Sequence, residues 1–564
     1  MLAQEHGANI KRGLAAPLLF LALAFAAQGS QQALAAWWFG SLAALWLCAA
    51  LMKPATHMPL TPMTVAVTFF ALWLVATDYW ANPSYSPGAL YQAGLILGGY
   101  LFGRAAGQRQ LAFSFRVALC FALAVASWAL WRKIAEAEPR AHSLFVTPAT
   151  LSSVLNLFLA PLLVLIACGE RRHAPLVALV VLGAAFVAAQ SRGGWVSLLT
   201  ALAFALLLLR RGGLKLQPRA GAFAAAAFAA GALLAWLTDL GVGAEQASFV
   251  SDAGPSLRER LDLYALALQG IENSPWVFGA GYQGFFYLLN SAGFMPMYAG
   301  RWTYFVHNDY LQTLFELGTP GLAALLLSVV LPLRAAWRSV PHIGSKDDVV
   351  AVAALAAAVC SMATHALADF PFYIPVCALI YGAALGFIDE FALASGQARA
   401  WTVSWPPKIR SAVLAGIATI VAWILTLPLA AEAAGEYGFH QWRAGRNQSA
   451  AYWFEAARRL DARDWRYHWY AGQFWYVQAA ETGSREAAGL AERSLAAAQA
   501  ANSREARVLS NRIALHSRLR KLLATPADVP TLRAWADRAV GLAPADATVR
   551  AERERIFKEF GPPK

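Results

Sequence analysis

The sequence predicts an all-α polytopic membrane protein followed by a soluble α-helical domain, on three observations. The 564 residues are 58% hydrophobic and only 14% charged, with mean hydropathy +0.45, a balance outside the range of ordinary soluble enzymes. Apolar stretches of membrane-crossing length recur at 14–29, 33–52, 63–80, 89–103, 113–131, 149–168, 174–190, 195–209, 220–239, 319–333, 349–368, 372–388 and 411–430, about thirteen spans. After Ala430 the hydropathy collapses into a segment rich in Arg, Ala, Trp and Tyr, which sets a domain of residues 1–430 apart from one of 431–564.

Lys11 and Arg12 precede the first span. A short apolar run ending in "FAAQGSQQA" has features of a signal peptide, and an uncleaved first span is the favoured reading. Lys53, Arg104 with Arg109, Arg171 with Arg172, Arg210 with Arg211 and Lys215, Arg334 with Arg338 and Lys346, and Lys408 with Arg410 fall in alternate loops. Positive residues resist translocation, so these loops and the N-terminus read as cytoplasmic. The loop with Arg192, the long loop of about 240–318 and the tail then lie on the opposite side. The loop with Arg132, Lys133 and Arg140 is an exception, basic yet on the outer side.

The tail carries a loose repeat of about 40 residues, seen in "AARRLDARDWRYHWY", "AAAQAANSREARVLS" and "DRAVGLAPADATVRA". Each unit reads as helix, turn, helix, resembling tetratricopeptide hairpins with lengthened loops; a plain helical bundle has nearly equal standing. Such a stack offers a surface for a protein partner.

Several function classes lose support. The formal charge of +13 is spread over loop ends and the tail, so topology explains it without nucleic acid. Cys48, Cys120, Cys168, Cys360 and Cys377 lie in apolar segments without CxxC spacing and read as packing residues. Gly279, Gly281 and Gly284 form a literal GxGxxG, but a dinucleotide site needs a preceding strand and a following helix, and a tight turn is the better reading. No P-loop, HExxH or GxSxG occurs, and no cofactor or metal site is expected.

What remains is a set of polar residues at the outer edge of the spans. Arg192 in "QSRGGW" sits between two apolar stretches, a costly place for a guanidinium unless it snorkels or serves a function. Arg258 and Arg260 open "RERLDLY"; for Arg258 a solvated helix start is the simpler reading. In "FVHNDYLQTLFELGTPG", Asn308 or Asp309 caps a short amphipathic helix, and Thr319 with Pro320 launches the next span. Capping does not require His307, whose imidazole suits general-base work. His365 and Asp369 are spaced i, i+4 and are expected to share one helix face, as an orienting pair or in a direct role.

Together "QSRGGW", "RLDLYALALQGIENSPWVFGAGYQGF", "HNDYLQTLFELGTPG" and "HALADFPFYIP" resemble the bacterial O-antigen ligase and O-antigen polymerase family over about residues 150–390. The resemblance implies a GT-C-like, metal-independent transferase of the bacterial inner membrane that uses an undecaprenyl-diphosphate-linked oligosaccharide. Its acceptor is a growing glycan, lipid A-core or a protein. It implies catalytic roles for His307, Arg260 and Arg192, and substrate contacts from Arg258, Arg301, Asn308, His365 and Asp369. Arginine forks neutralise a lipid diphosphate bidentately. The repeat-bearing tail departs from the simplest ligases and tilts the expectation toward a polymerase, with protein oligosaccharyltransferase as the alternative. A transporter would place ionisable groups near mid-membrane, and an assembly factor would leave the arginines dispensable.

Overall fold

A computed structural model describes residues 59–81, 87–136, 138, 140–143, 145, 147–169, 173–214, 217–239, 253–273, 277–291, 305–402 and 406–561. The two earliest expected spans and Arg301 lie outside them. The membrane part consists of α1 (Pro62–Ala81), α2 (Pro87–Ala135), α3 (Pro148–Ala167), α4 (His173–Ala188), α5 (Arg192–Arg211), α6 (Pro218–Asp239), α7 (Ala253–Glu272), α8 (Gly284–Ser291), α9 (Asp309–Ser339), α10 (Lys346–His365) and α11 (Pro375–Ala394). Among the described residues, 8 helices are long and apolar enough to cross a membrane, so the chain is an all-α polytopic membrane protein. Their apolar side chains merge into one core; exposed Leu72, Val177, Val196 and Leu199 point away from it, as lipid-facing residues do.

Helices α2 and α11 pack with almost no gap. A Cβ on Gly99 or Gly103 would fall 2.3 Å from a carbonyl oxygen of α11, and one on Gly382 or Gly386 would fall 2.3 or 2.2 Å from one of α2. Two small-xxx-small pairs therefore face each other, the arrangement that lets membrane helices associate through backbone contact.

The structure revises the expected loop around Arg104. Helix α2 has 49 residues and bends at Gly107, where φ is 62°; straight, it would run about 70 Å, more than twice the hydrocarbon thickness. Arg104 sits before this bend, buried, and pairs with Asp389 and Glu390 at 2.5 Å each. Two residues of the basic exception have local partners. Arg132 binds Glu136 and Glu138 at 2.6 Å, and Arg140 donates to the carbonyls of Ala189 and Gln190 beyond the end of α4. Local acids and a helix C-terminus neutralise these cations.

Helix α9 breaks at Gly318 (φ 68°), so 309–317 forms the expected short helix and a membrane helix follows from Thr319. The glycine-rich turn leans on this break: Ala280 and Gly281 donate to the carbonyls of Phe315 and Glu316 at 2.8 and 2.9 Å. A Cβ at Gly279 would lie 2.4 Å from the Glu316 oxygen. The GxGxxG is a packing turn.

Helix α12 (Pro407–Arg443) runs unbroken past Ala430 into the tail, which contains α13 (Asn447–Leu460), α14 (Trp465–Thr482), α15 (Arg485–Ala501), α16 (Ala506–Arg518), α17 (Val529–Leu542) and α18 (Ala547–Phe560). The three repeated stretches are the junctions α13–α14, α15–α16 and α17–α18. Each turn ends in an acidic cap, Asp464, Glu505 or Asp546, accepting from the backbone two residues on.

Candidate active site

The site forms where the starts of α5 and α9 meet the end of α10. Asn308 makes α9 begin: its Oδ1 accepts from Leu311 N at 3.0 Å, and its Nδ2 donates to Leu367 O at 3.2 Å. Asp309 N donates to Ala366 O, and its buried Oδ2 accepts from Phe372 N at 2.8 Å. The expected cap is therefore Asn308, and its amide is engaged by the fold at both ends.

His307 precedes this cap in the left-handed region, with φ 59°. A non-glycine residue there is strained by about 1–3 kcal/mol and persists only where its surroundings over-determine it. They do so here. Val306 N donates to Gln312 Oε1, Tyr264 OH donates to His307 O at 2.9 Å, and Asp309 N is held as above.

The strained backbone turns the imidazole toward Asp369, with Nδ1 to Oδ1 at 3.1 Å, and its ring meets Phe370 edge-on at 5.0 Å. Helix α10 ends at His365, so the expected shared helix face is corrected: Asp369 lies beyond the helix, in the turn that follows. That turn still brings its Oδ2 within 3.7 Å of His365 Nε2. Both side chains are almost completely buried, whereas that of His307 is 19% exposed, which makes His307 the member of the group that reaches the surface. Burial works against the Asp369 charge. The His307 hydrogen bond, the neighbouring histidine charges and the Arg260 guanidinium outweigh it, and hold the carboxyl below its ordinary range.

Behind His365, Ser197 Oγ lies 3.4 Å from Nδ1 and also accepts from Asn156 Nδ2 at 2.8 Å. Gly193 packs against the same ring: a Cβ there would sit 3.5 Å from His365 Nε2. The adjoining Arg192 is the exposed first residue of α5, capped by Ser191. A cation at the positive end of a helix is unfavourable unless it is compensated.

On α7, Arg260 and Tyr264 are four residues apart and share a face. Tyr264 reaches His307 and Leu367, and Arg260 acts on Asp369. Arg258 is exposed, and a spacing of two turns it away from that face. Tyr264 was missed by sequence reasoning, although its i+4 spacing from Arg260 was a usable signal. A buried polar group beneath the site was also missed: Glu316 accepts from Tyr373 OH at 2.7 Å and Gln312 Nε2 at 3.2 Å. An open apolar groove of about 330 Å³ begins at Asn308 and Leu367 and runs along α9 past Leu314 and Leu322 to Leu326.

A histidine whose Nδ1–H points at a buried carboxylate carries its basic lone pair on Nε2, the arrangement of an oriented general base. With the Arg260 guanidinium acting on the same carboxylate, the site is suited to taking a proton near an anionic group. No curated protein matches the chain. Residues 177–326, which include Arg192, Arg260 and His307 but end before Asp369, match the family model for O-antigen ligase. That match gives the segment an O-antigen ligase-type domain and supports a ligase- or polymerase-type glycan function.

Proposed function

We propose that the protein transfers or polymerises an undecaprenyl-diphosphate-linked oligosaccharide at the periplasmic face of the inner membrane. The bundle up to about residue 430 is the transferase and the helical tail lies outside the membrane. The observation that carries this reading is the His307–Asp369 pair, with Arg260 acting on the same carboxylate, at one end of an apolar groove.

Arg260 and Arg192 hold the diphosphate as planar forks. The groove along α9 receives the first isoprenoid units, which need an apolar surface where the diphosphate needs cations. His307 Nε2 takes the proton of an acceptor sugar hydroxyl. That oxygen attacks the anomeric carbon with inversion, the bond from carbon to diphosphate oxygen breaks, and the electron pair leaves with undecaprenyl diphosphate, whose charge the arginines stabilise. Asp369 fixes the imidazole and steadies its cation, with His365 behind it. The phosphoester supplies the driving force. The tail favours a polymerase over a plain lipid A-core ligase.

The test uses purified protein in detergent with a lipid-linked donor, following donor binding and product formation separately. His307→Asn tolerates the left-handed backbone, so it is expected to fold and bind donor while losing about 10²–10⁴-fold in transfer. Turnover at the wild-type rate by His307→Asn would remove the base. A deletion strain examined for lipopolysaccharide ladder, free polysaccharide and glycoprotein separates the acceptors.

A further inference from the structure

The repeated turns of the tail have a role that the transfer chemistry leaves unexplained. They recur at about 40-residue intervals and line one edge of the helical stack. In the first, Arg463, next to the cap Asp464, places its guanidinium 3.8 Å over the ring of Tyr79 near the end of α1. In the second, Asn502 Oδ1 accepts from Arg504 N at 3.1 Å while Nδ2 donates to Tyr287 OH on α8, also at 3.1 Å. Helix α8 packs beside α17 as well. The second and third turns are braced by Arg507 to Asp546 at 3.8 Å, and Arg538 donates to Ser503 O at 3.3 Å. Turn residues are ordinarily solvated, yet Asn502 is 0% exposed.

The contacted helix belongs to a small unit with its own core. Leu263 and Leu266 of α7, Phe285 and Leu289 of α8, and Phe315 of α9 pack together apart from the main bundle core. Helix α7 carries Arg260 and Tyr264. A pull on Tyr287 is therefore transmitted through a close-packed core to the helix that bears the diphosphate-binding arginine.

We propose that the turn edge of the tail, anchored to α1 through Arg463, clamps the α7–α8 unit over the site through Asn502 and Tyr287, with these three as positioning residues for the transfer. The tail is then a wall of the active site as well as a surface for partners. The clamp itself stands on contacts in the structure; its effect on transfer rests on the proposed role of Arg260.

The experiment uses full-length protein in detergent carrying Tyr287→Phe, which deletes one hydroxyl, together with Arg463→Ala. Amide hydrogen exchange in α7 and α8 is expected to speed up by about tenfold, the combined effect of one hydrogen bond and one cation–π contact, with exchange in α10, α11 and α15 unchanged. Donor affinity is expected to fall about fivefold, and Arg463→Lys with Tyr287 intact should restore both readouts. Unchanged exchange in α7 and α8 overturns the clamp, whatever the fate of the transferase reading. Faster exchange with wild-type donor affinity and turnover overturns the positioning role. Arg260→Ala, run in parallel, reports on the transferase reading: wild-type donor binding in that variant is a failure of the arginine assignment and leaves the exchange result to decide the clamp.

Discussion

Replacing Asp369 with asparagine isolates the carboxylate from the space it fills. The side chain is 2% exposed, so a smaller residue would leave a cavity between the two imidazoles, whereas Asn keeps the shape. What changes is the 3.1 Å contact to His307 Nδ1. A hydrogen bond to a charged group contributes about 1.5–3 kcal/mol, and about 1.4 kcal/mol is a factor of ten, so the loss corresponds to roughly 10- to 150-fold in rate. The amide also offers an N–H to Nδ1, which would draw the ring into the tautomer with its proton on Nε2, where it no longer accepts one. The assay is single-turnover transfer from a lipid-linked donor by purified protein, with donor affinity measured on the same sample. The turnover rate should fall by that factor while donor affinity stays within about threefold, since the arginines remain. A rate within twofold of wild type would refute the reasoning that Asp369 orients the base. The pH dependence has a definite sign. Asp369 has a depressed folded-state pKa, so its stabilising contribution is fully present above the unfolded value, about 3.9, and is lost only as pH falls through the folded value. Between pH 5 and 8 Asp369 itself should therefore stay ionised.

Other outcomes are expected from the same geometry. Arg260→Lys should lose at least tenfold in donor affinity, about 1.4 kcal/mol or more, because a point charge does not reproduce a bidentate fork, whereas exposed Arg258→Ala should stay within about twofold; equal effects would remove the distinction drawn between the two faces of α7. Gly318→Ala places a side chain at φ 68°, ψ −171°, a region open essentially to glycine, and should cost about 1–3 kcal/mol, read as a lower yield of folded protein in detergent; normal yield and melting would show that the break tolerates a side chain. In the tail, burial holds the pKa of His468 below its ordinary value while Nε2 faces Ala462 O at 2.9 Å. Its contribution is thus complete above about pH 6.5 and declines as pH falls toward the folded value. Exchange in α14 should accelerate between pH 7.5 and 5.5 after correction for intrinsic rates, and His468→Gln should flatten that slope.

The helices were legible because lipid imposes one rule on every spanning segment, an apolar face with its backbone bonded internally. Eleven of the expected stretches fall on described helices for this reason. Arg104 was misplaced because hydropathy scores a buried arginine as a loop residue; the signal that corrects it, Asp389 with Glu390, lies 285 and 286 positions away. The close packing of α2 on α11 was written as GxxxG in both helices, Gly99 to Gly103 and Gly382 to Gly386, but such spacing gains meaning only when two copies are known to face each other.

The site residues were legible for a different reason, and unevenly. Asn308 could be read as a cap because capping is local: its acceptor and the Leu311 N–H are three residues apart. The His307–Asp369 contact joins residues 62 positions apart, and no periodicity links them. Each nevertheless sits where a local preference is broken, His307 at positive φ, Arg192 at the positive end of a helix, and Asp369 charged though buried. Each departure costs stability unless the others compensate it. Asp369 is tolerable because His307 and Arg260 face it; His307 keeps its strained backbone because Tyr264, Gln312 and Ala366 hold the atoms around it. A cap and a snorkelling arginine, taken singly, need none of this. The meeting of Asp369 and Tyr264 at one partly exposed histidine favours chemistry over helix initiation, since capping alone would be served by Asn308 with any unstrained residue before it.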